Sequence, residues 1–127
     1  MQRLAGETLT AIGRMTVAAT ELEHLLAWIG ADRAGGDAAA VFAHPGEPLR
    51  AARGSAEFAP PAHRDEFIAH IEGAATQLAL SQAALRALWR EDGGRRDPEM
   101  YNEIAGRLLR CCDALQTLLQ ESVGGRR

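Results

Sequence analysis

Apolar residues recur every three or four positions in three long segments of the chain. Because an α-helix completes a turn in 3.6 residues, residues spaced in this way form one stripe along a helix, and such a stripe is buried against another helix. The pattern therefore predicts an all-α fold, a small bundle of three long helices. The predicted stripes are Ile12, Met15, Ala19, Leu22, Leu26 and Ile29; Phe67, Ile71, Ala74, Leu78, Ser81, Leu85 and Leu88; and Tyr101, Ile104, Leu108, Cys111, Leu115 and Leu118.

Capping residues and helix breakers place the ends of the long helices. A glycine pair ends the first helix, which is predicted over about 7–32. The second helix is predicted over about 61–90, because proline is favourable at a first helical position. An Asp-Pro-Glu sequence opens the third, which is predicted over about 97–122. The last residues, 124–127, are expected to form a frayed tail.

The segment 35–61 is a long crossover between the first two long helices, and its sequence predicts partial helix. Asp37 can cap a short helix over 38–43. Two prolines within 44–48 are expected to end that helix in a turn. One further helical turn is expected over 49–53. The bundle is thus predicted to have one or two short helices beside its three long ones.

Composition and charge narrow the function classes. The 127 residues suit a single domain spanning 1–127, and the apolar content of 46% is enough for a core. A net charge of −3 argues against a broad nucleic-acid surface. The chain has no apolar run near the ~18 residues that span a bilayer and no signal-like start. We therefore expect a cytoplasmic protein that does not insert in a membrane.

Motifs for metals and cofactors are weak. Glu21 and His24 form one Glu-x-x-His, whereas di-iron bundles need this spacing twice with further carboxylates. Cys111 and Cys112 are adjacent, so they point about 100° apart on a helix and supply only two of the four ligands that structural zinc requires. We expect no metal and no cofactor, with Cys111 acting as a small core residue.

A few side chains are candidates for an interface or a pocket. Trp28 and Trp89 lie near the ends of long helices, where tryptophan is either a core plug or an interface anchor. Ser81 interrupts an apolar stripe; it either bonds back to its own helix or, with the neighbouring Gln82, marks a polar site. A small-ligand pocket under the crossover could be lined by three aromatic residues. These are Trp28, Phe42 and Phe58.

The segment 20–26, Thr-Glu-Leu-Glu-His-Leu-Leu, resembles the opening helix of HEPN-type domains. The resemblance implies a compact all-α bundle, often dimeric. Many such domains cut RNA with an Arg-polar-x(3 to 5)-His motif, often followed by an aromatic residue on the same helix. The resemblance would cover most of the chain, and two stretches compete for the motif.

In the first alignment, Ser81 takes the place of the arginine and Gln82 the polar position. Arg86 then stands where the histidine belongs, and Trp89 matches the trailing aromatic residue. Serine has no charge to hold a phosphate, and arginine cannot accept a proton near neutral pH. This alignment implies that the nuclease site is lost and that an interaction domain remains.

In the second alignment, Arg64, Asp65 and His70 satisfy the motif literally. The resemblance then implies that Arg64 holds a phosphate, Asp65 orients a neighbour and His70 transfers a proton. The motif falls directly after two prolines, at the start of the long helix rather than in its later half. His70 also lies next to the buried stripe, where it could simply cover the edge of the core.

The preferred interpretation is a non-catalytic interaction or scaffold domain that forms a homodimer or docks on a partner helix. It follows from three clean stripes on a thin, alanine-rich bundle. The first alternative is a metal-independent ribonuclease using Arg64 and His70 at a dimer interface, and RNA is an expected partner only in that case. The second alternative is a bundle that binds a small ligand.

Overall fold

The computed structural model describes residues 5–34, 37–56, 59–90 and 97–124. Five α-helices, three long and two short, make up this part of the chain, which confirms the predicted all-α bundle of three long helices with one or two short ones. In chain order the helices are α1 (Gly6–Ala34), α2 (Ala38–Phe42), α3 (Glu47–Ser55), α4 (Pro61–Ala87) and α5 (Pro98–Gly124).

The long helices run up, down and up. α1 and α5 are parallel neighbours: Arg14, early in α1, donates a hydrogen bond to the side-chain oxygen of Asn102, early in α5. α4 is antiparallel to both, since Phe67 near its start packs against Leu118 near the end of α5. The consecutive helices α4 and α5 are therefore antiparallel neighbours.

The buried faces follow the predicted stripes with a small rotation. Because α5 packs against both α1 and α4, its buried face is wider than one stripe and includes Ala105 and Cys112 on the α1 side. Cys112 is the buried cysteine, whereas Cys111, which was predicted on the core stripe, is half-buried and packs against the edge of the core. The largest fully buried side chains are Tyr101, Phe67, Met15, Leu22, Leu26, Ile29, Ile71, Leu108, Leu115 and Pro48.

The crossover is more helical than the sequence predicted. Asp37 caps α2 as expected, with its carboxylate accepting a hydrogen bond of 3.0 Å from the backbone N–H of Ala39. The expectation that Pro48 ends a helical segment is wrong, because Pro48 lies in the first turn of α3, where the absent N–H costs no hydrogen bond. The turn before α3 needs a left-handed residue, and Gly46 supplies it with φ 84°.

α3 packs closely on α1 and is tied to α4. A Cβ atom at Gly30 would lie 2.4 Å from the Cβ of Ala51, so the two helices touch backbone to backbone at this point. The Arg53 guanidinium binds both carboxylate oxygens of Glu72 in α4, each at 2.8 Å. α3 is therefore held between the later part of α1 and α4.

Two helix ends differ from the prediction. α4 ends at Ala87 rather than near residue 90, and the chain continues through a turn at Leu88 and Trp89. α5 extends to Gly124, so the residue expected to begin a frayed tail is helical; residues 125–127 lie outside the described residues. The Asp97 cap of α5 is confirmed, because its carboxylate accepts a 3.0 Å hydrogen bond from the N–H of Glu99.

Candidate functional site

The literal motif lies in the first turns of α4, and its members do not converge within one chain. Arg64 and Asp65 are exposed, and His70 is half-buried. Six residues rotate a helix by about 120° net and advance it by about 9 Å, with Phe67 midway between Arg64 and His70. Phe67 is fully buried, so the arginine and the histidine flank the core stripe on opposite sides.

The residues of the first alignment are a buried serine and three exposed side chains. The Ser81 hydroxyl donates a 2.7 Å hydrogen bond to the backbone carbonyl of Leu78 in its own helix. The serine thus bonds back to its own helix, which is one of the two interpretations drawn from the sequence, and its hydroxyl is satisfied inside the monomer core. Gln82 and Arg86 are exposed, and Trp89 keeps 63% of its surface in contact with solvent.

The aromatic residues proposed for a ligand pocket are placed apart from the cavity under the crossover. That cavity, of about 240 Å³, lies between α3, α4 and α1, and Gln82 and the half-buried Glu23 are among its lining residues. Neither Trp28 nor Phe42 lines it, and Phe58 is outside the described residues. Its volume is below the roughly 300–1,000 Å³ of typical ligand pockets.

Phe42 and Trp28 have other surroundings. The ring of Phe42 meets the ring of His24 edge to face, with centroids 5.4 Å apart, so it holds α2 against α1. Trp28 is 48% exposed on α1 and is not a core plug. Burial raises the pKa of the Glu23 carboxyl, which lines the cavity under the crossover together with Gln82.

The two thiols are poor nucleophiles. Burial and the nearby Glu21 carboxylate raise the pKa of Cys112 to about 11, and burial raises the pKa of Cys111 as well. The thiolate is the reactive and metal-binding form, so neither cysteine is activated. Among the described residues, no three His, Cys, Asp or Glu side chains are close enough together to hold a metal ion.

An open, mainly apolar groove runs along the outer side of the parallel pair α1 and α5. We call it the α1–α5 groove; its volume is about 580 Å³. Its lining residues are Gly13, Arg14, Val17, Ala18, Glu21, Asn102, Ala105, Gly106 and Leu109. Two of the large apolar side chains that the described surface exposes are among them: Val17 is 68% exposed and Leu109 is 44% exposed.

Small residues make this groove. A Cβ atom at Gly13 would meet no atom within 4 Å, and one at Gly106 would make only an ordinary contact of 3.6 Å with Arg110. The floor is formed by Ala18 and Ala105, whose side chains are buried between the helices. A helix laid on this surface could therefore approach closely, as helices do where small residues meet.

Charged residues of opposite sign stand on the α1 side of the groove. Arg14 and Glu21 are seven residues apart, so they lie on the same face of α1, separated along its axis by about 10.5 Å. Arg14 donates its long hydrogen bond of 3.4 Å to Asn102. Glu21 forms no ion pair with another described residue.

Sequence reasoning missed this groove. The predicted stripes are patterns of burial within one chain. Of the residues considered as sites from the sequence, only Glu21 of the weak Glu-x-x-His motif lines the groove, and none of the interface or pocket candidates does. The available signal was an apolar residue, Val17, outside the stripe of α1 and between two charged residues seven positions apart. One exposed valine is common on protein surfaces, so this signal gains meaning only beside Leu109 of α5.

Comparison of the chain with protein-family models, curated proteins and solved structures found no match. The resemblance to HEPN-type domains therefore rests on its short motifs alone. None of the described helices combines the length and the apolar character needed to cross a membrane.

Proposed function

We propose that the chain is a non-catalytic helical interaction domain that self-associates through the α1–α5 groove. The observation that carries the proposal is the placement of Val17 and Leu109, two exposed apolar side chains, beside one groove with a floor of alanines. Contiguous exposed apolar surface rimmed by polar groups is typical of interaction sites. Covering these two side chains removes apolar area from water, which favours association.

The surface is suited to a helix rather than to a small molecule. It is open along its length, follows two parallel helices, and is rimmed by polar groups at Arg14 and Asn102. The buried Ala18 and Ala105 leave room for the side chains of a second helix between α1 and α5. A cytoplasmic location, expected from the sequence, is compatible with such a role and forms part of the proposal.

The ribonuclease alternative has weaker support. Arg64 and His70 flank the buried Phe67 from opposite sides, so a composite site would need a partner chain to close it. Incubating the protein with assorted RNA substrates, beside His70→Ala, tests this alternative. Cleavage that disappears in His70→Ala would establish it and would displace the non-catalytic proposal.

A matched pair of variants tests the proposed surface. Val17→Arg adds a long charged side chain to the α1–α5 groove, whereas Ile68→Arg makes the same change at another exposed β-branched residue, on α4. We expect the wild type and Ile68→Arg to form dimers as concentration rises, and Val17→Arg to remain monomeric. The measurement is size-exclusion chromatography with light scattering over a concentration series.

Both variants should keep the helical fold, because neither parent side chain is in the core. Far-ultraviolet circular dichroism checks this point. A wild type that stays monomeric throughout the series, or a Val17→Arg variant that associates as the wild type does, would overturn the proposal.

A further inference from the structure

The charges of the α1–α5 groove specify which partner it takes and in which orientation. Resting on the proposed function, we infer that the occupant is the same groove of a second copy, related by a two-fold axis perpendicular to α1. This axis passes between Val17 and Ala18, so that the two α1 helices cross antiparallel. Arg14 of each copy then faces Glu21 of the other.

The register follows from symmetry. In an antiparallel pair of identical helices, opposed residue numbers have a constant sum, and an isologous dimer makes each contact twice. Arg14 and Glu21 are opposed when the axis lies midway between them, between Val17 and Ala18. The exposed Val17 side chain of one copy is then placed over the buried Ala18 in the floor of the other groove.

The same axis also brings the small residues of the two α5 helices together. Because α1 and α5 are parallel, with Arg14 beside Asn102, the level of the axis on α5 falls between Ala105 and Gly106. These are the two small residues of α5 in the groove. The α5 helices can therefore approach closely at the level where the α1 helices cross, and Leu109 of one copy is opposed to the uncharged Asn102 of the other.

The alternative two-fold axis, along the helices, gives a less favourable contact. It would pack α1 of one copy against α5 of the other in parallel, so that Arg14 faces Asn102 and Glu21 faces Leu109. A carboxylate covered by a leucine loses its hydration without gaining a counter-charge, which is costly. The antiparallel arrangement gives both ions a partner, so electrostatic complementarity selects it.

Charge exchange tests the orientation. Arg14→Glu puts a carboxylate opposite the Glu21 of the other copy, and Glu21→Arg puts two guanidinium groups together. Each variant replaces two attractive contacts by two repulsive ones, so we expect each to raise the dissociation constant of its homodimer by about tenfold at low salt. High salt should reduce these differences, because both pairs lie at the rim of the groove.

Two combinations should restore association. The double variant Arg14→Glu with Glu21→Arg exchanges both charges, and an equimolar mixture of the two single variants forms a heterodimer in which both pairs are again of opposite sign. Analytical ultracentrifugation should give both a dissociation constant near that of the wild type. In the parallel arrangement neither combination restores anything, since position 14 does not face position 21.

Failure of this inference is distinguishable from failure of the proposed function. If the wild type dimerises and Val17→Arg abolishes the dimer, while the charge variants bind as the wild type does or are not rescued by mixing, the groove is the interface but the antiparallel two-fold is wrong. If the wild type never dimerises, both are wrong.

Discussion

Each half of α1 contains a glycine, but only the later glycine is covered by another helix. At the later end, Gly30 lies against Ala51 of α3 so closely that a Cβ atom there would be 2.4 Å from its neighbour. At the earlier end, Gly13 faces open space, and the exposed Val17 stands beside it. A small residue therefore marks a close approach only where the chain supplies a second helix. Where it does not, the surface is free for another molecule.

Truncating one apolar residue at each end should give the largest contrast. Leu26 is fully buried near the covered end, so Leu26→Ala should lower the free energy of unfolding of the monomer by about 2–5 kcal/mol through lost burial and a cavity. Val17→Ala should change it by less than about 0.5 kcal/mol, because Val17 is exposed in the monomer. Urea unfolding at a concentration below dimer formation measures both. Equal losses would show that the covered and open ends have been misassigned.

Replacing a glycine by alanine should have opposite effects on stability at a covered and at an open position. Gly30→Ala must push the Cβ and backbone of Ala51 away, so we expect a net loss of about 1–3 kcal/mol in the free energy of unfolding. Gly73→Ala, in the exposed face of α4 where nothing lies within 4 Å, should instead gain about 0.5–1 kcal/mol from helix propensity. Thermal and urea unfolding give the two signs. A stabilised Gly30→Ala variant would contradict the close contact between α1 and α3.

The smallest effect on the free energy of unfolding is expected from the ion pair between Arg53 of α3 and Glu72 of α4. The hydrogen bonds from Arg53 lower the pKa of the Glu72 carboxyl in the folded protein from its ordinary value of 4.5. Its contribution to stability is therefore fully present above pH 4.5 and is lost as the pH falls through the lowered folded-state value. The wild type should therefore have a higher free energy of unfolding than Glu72→Gln above pH 4.5, and this difference should decrease as the pH falls. The difference should be slight, because both groups are half exposed.

An Arg53→Gln background provides the control for that measurement. Without the guanidinium, Glu72→Gln should no longer have a pH-dependent effect on urea unfolding. A gap between the two proteins that persists well below pH 4.5 would mean that the effect comes from packing rather than from the charge of Glu72.

The sequence predicted the buried side of each long helix because burial within one chain imposes a period. Leu22, Leu78 and Leu108 are all buried as their stripes required. The sequence was less informative where one residue type is compatible with two structural roles. Pro48 can end one helix or begin the next, and only the turn at Gly46 decides that it begins α3.

The candidate site was not predicted, because it depends on which helices become neighbours. Val17 and Leu109 are 92 positions apart in sequence, and each is an unremarkable exposed residue on its own helix. Only the parallel placement of α1 and α5 brings them to one groove. The residues singled out from the sequence, such as Ser81 and His70, were chosen for their chemistry. In the fold, Ser81 has a structural role, because its hydroxyl bonds to its own helix. His70 lies apart from Arg64, on the other side of the buried stripe.

The parallel course of α1 and α5 also has an electrostatic consequence. The peptide dipoles of two parallel neighbours add, so the end of the bundle where both helices begin carries a concentrated partial positive charge that antiparallel neighbours would cancel. The chain places carboxylates at both beginnings: Glu7 in the first turn of α1, and Asp97 and Glu99 at the start of α5. Acidic first turns thus offset the mutual repulsion of the two helix macrodipoles that this topology creates.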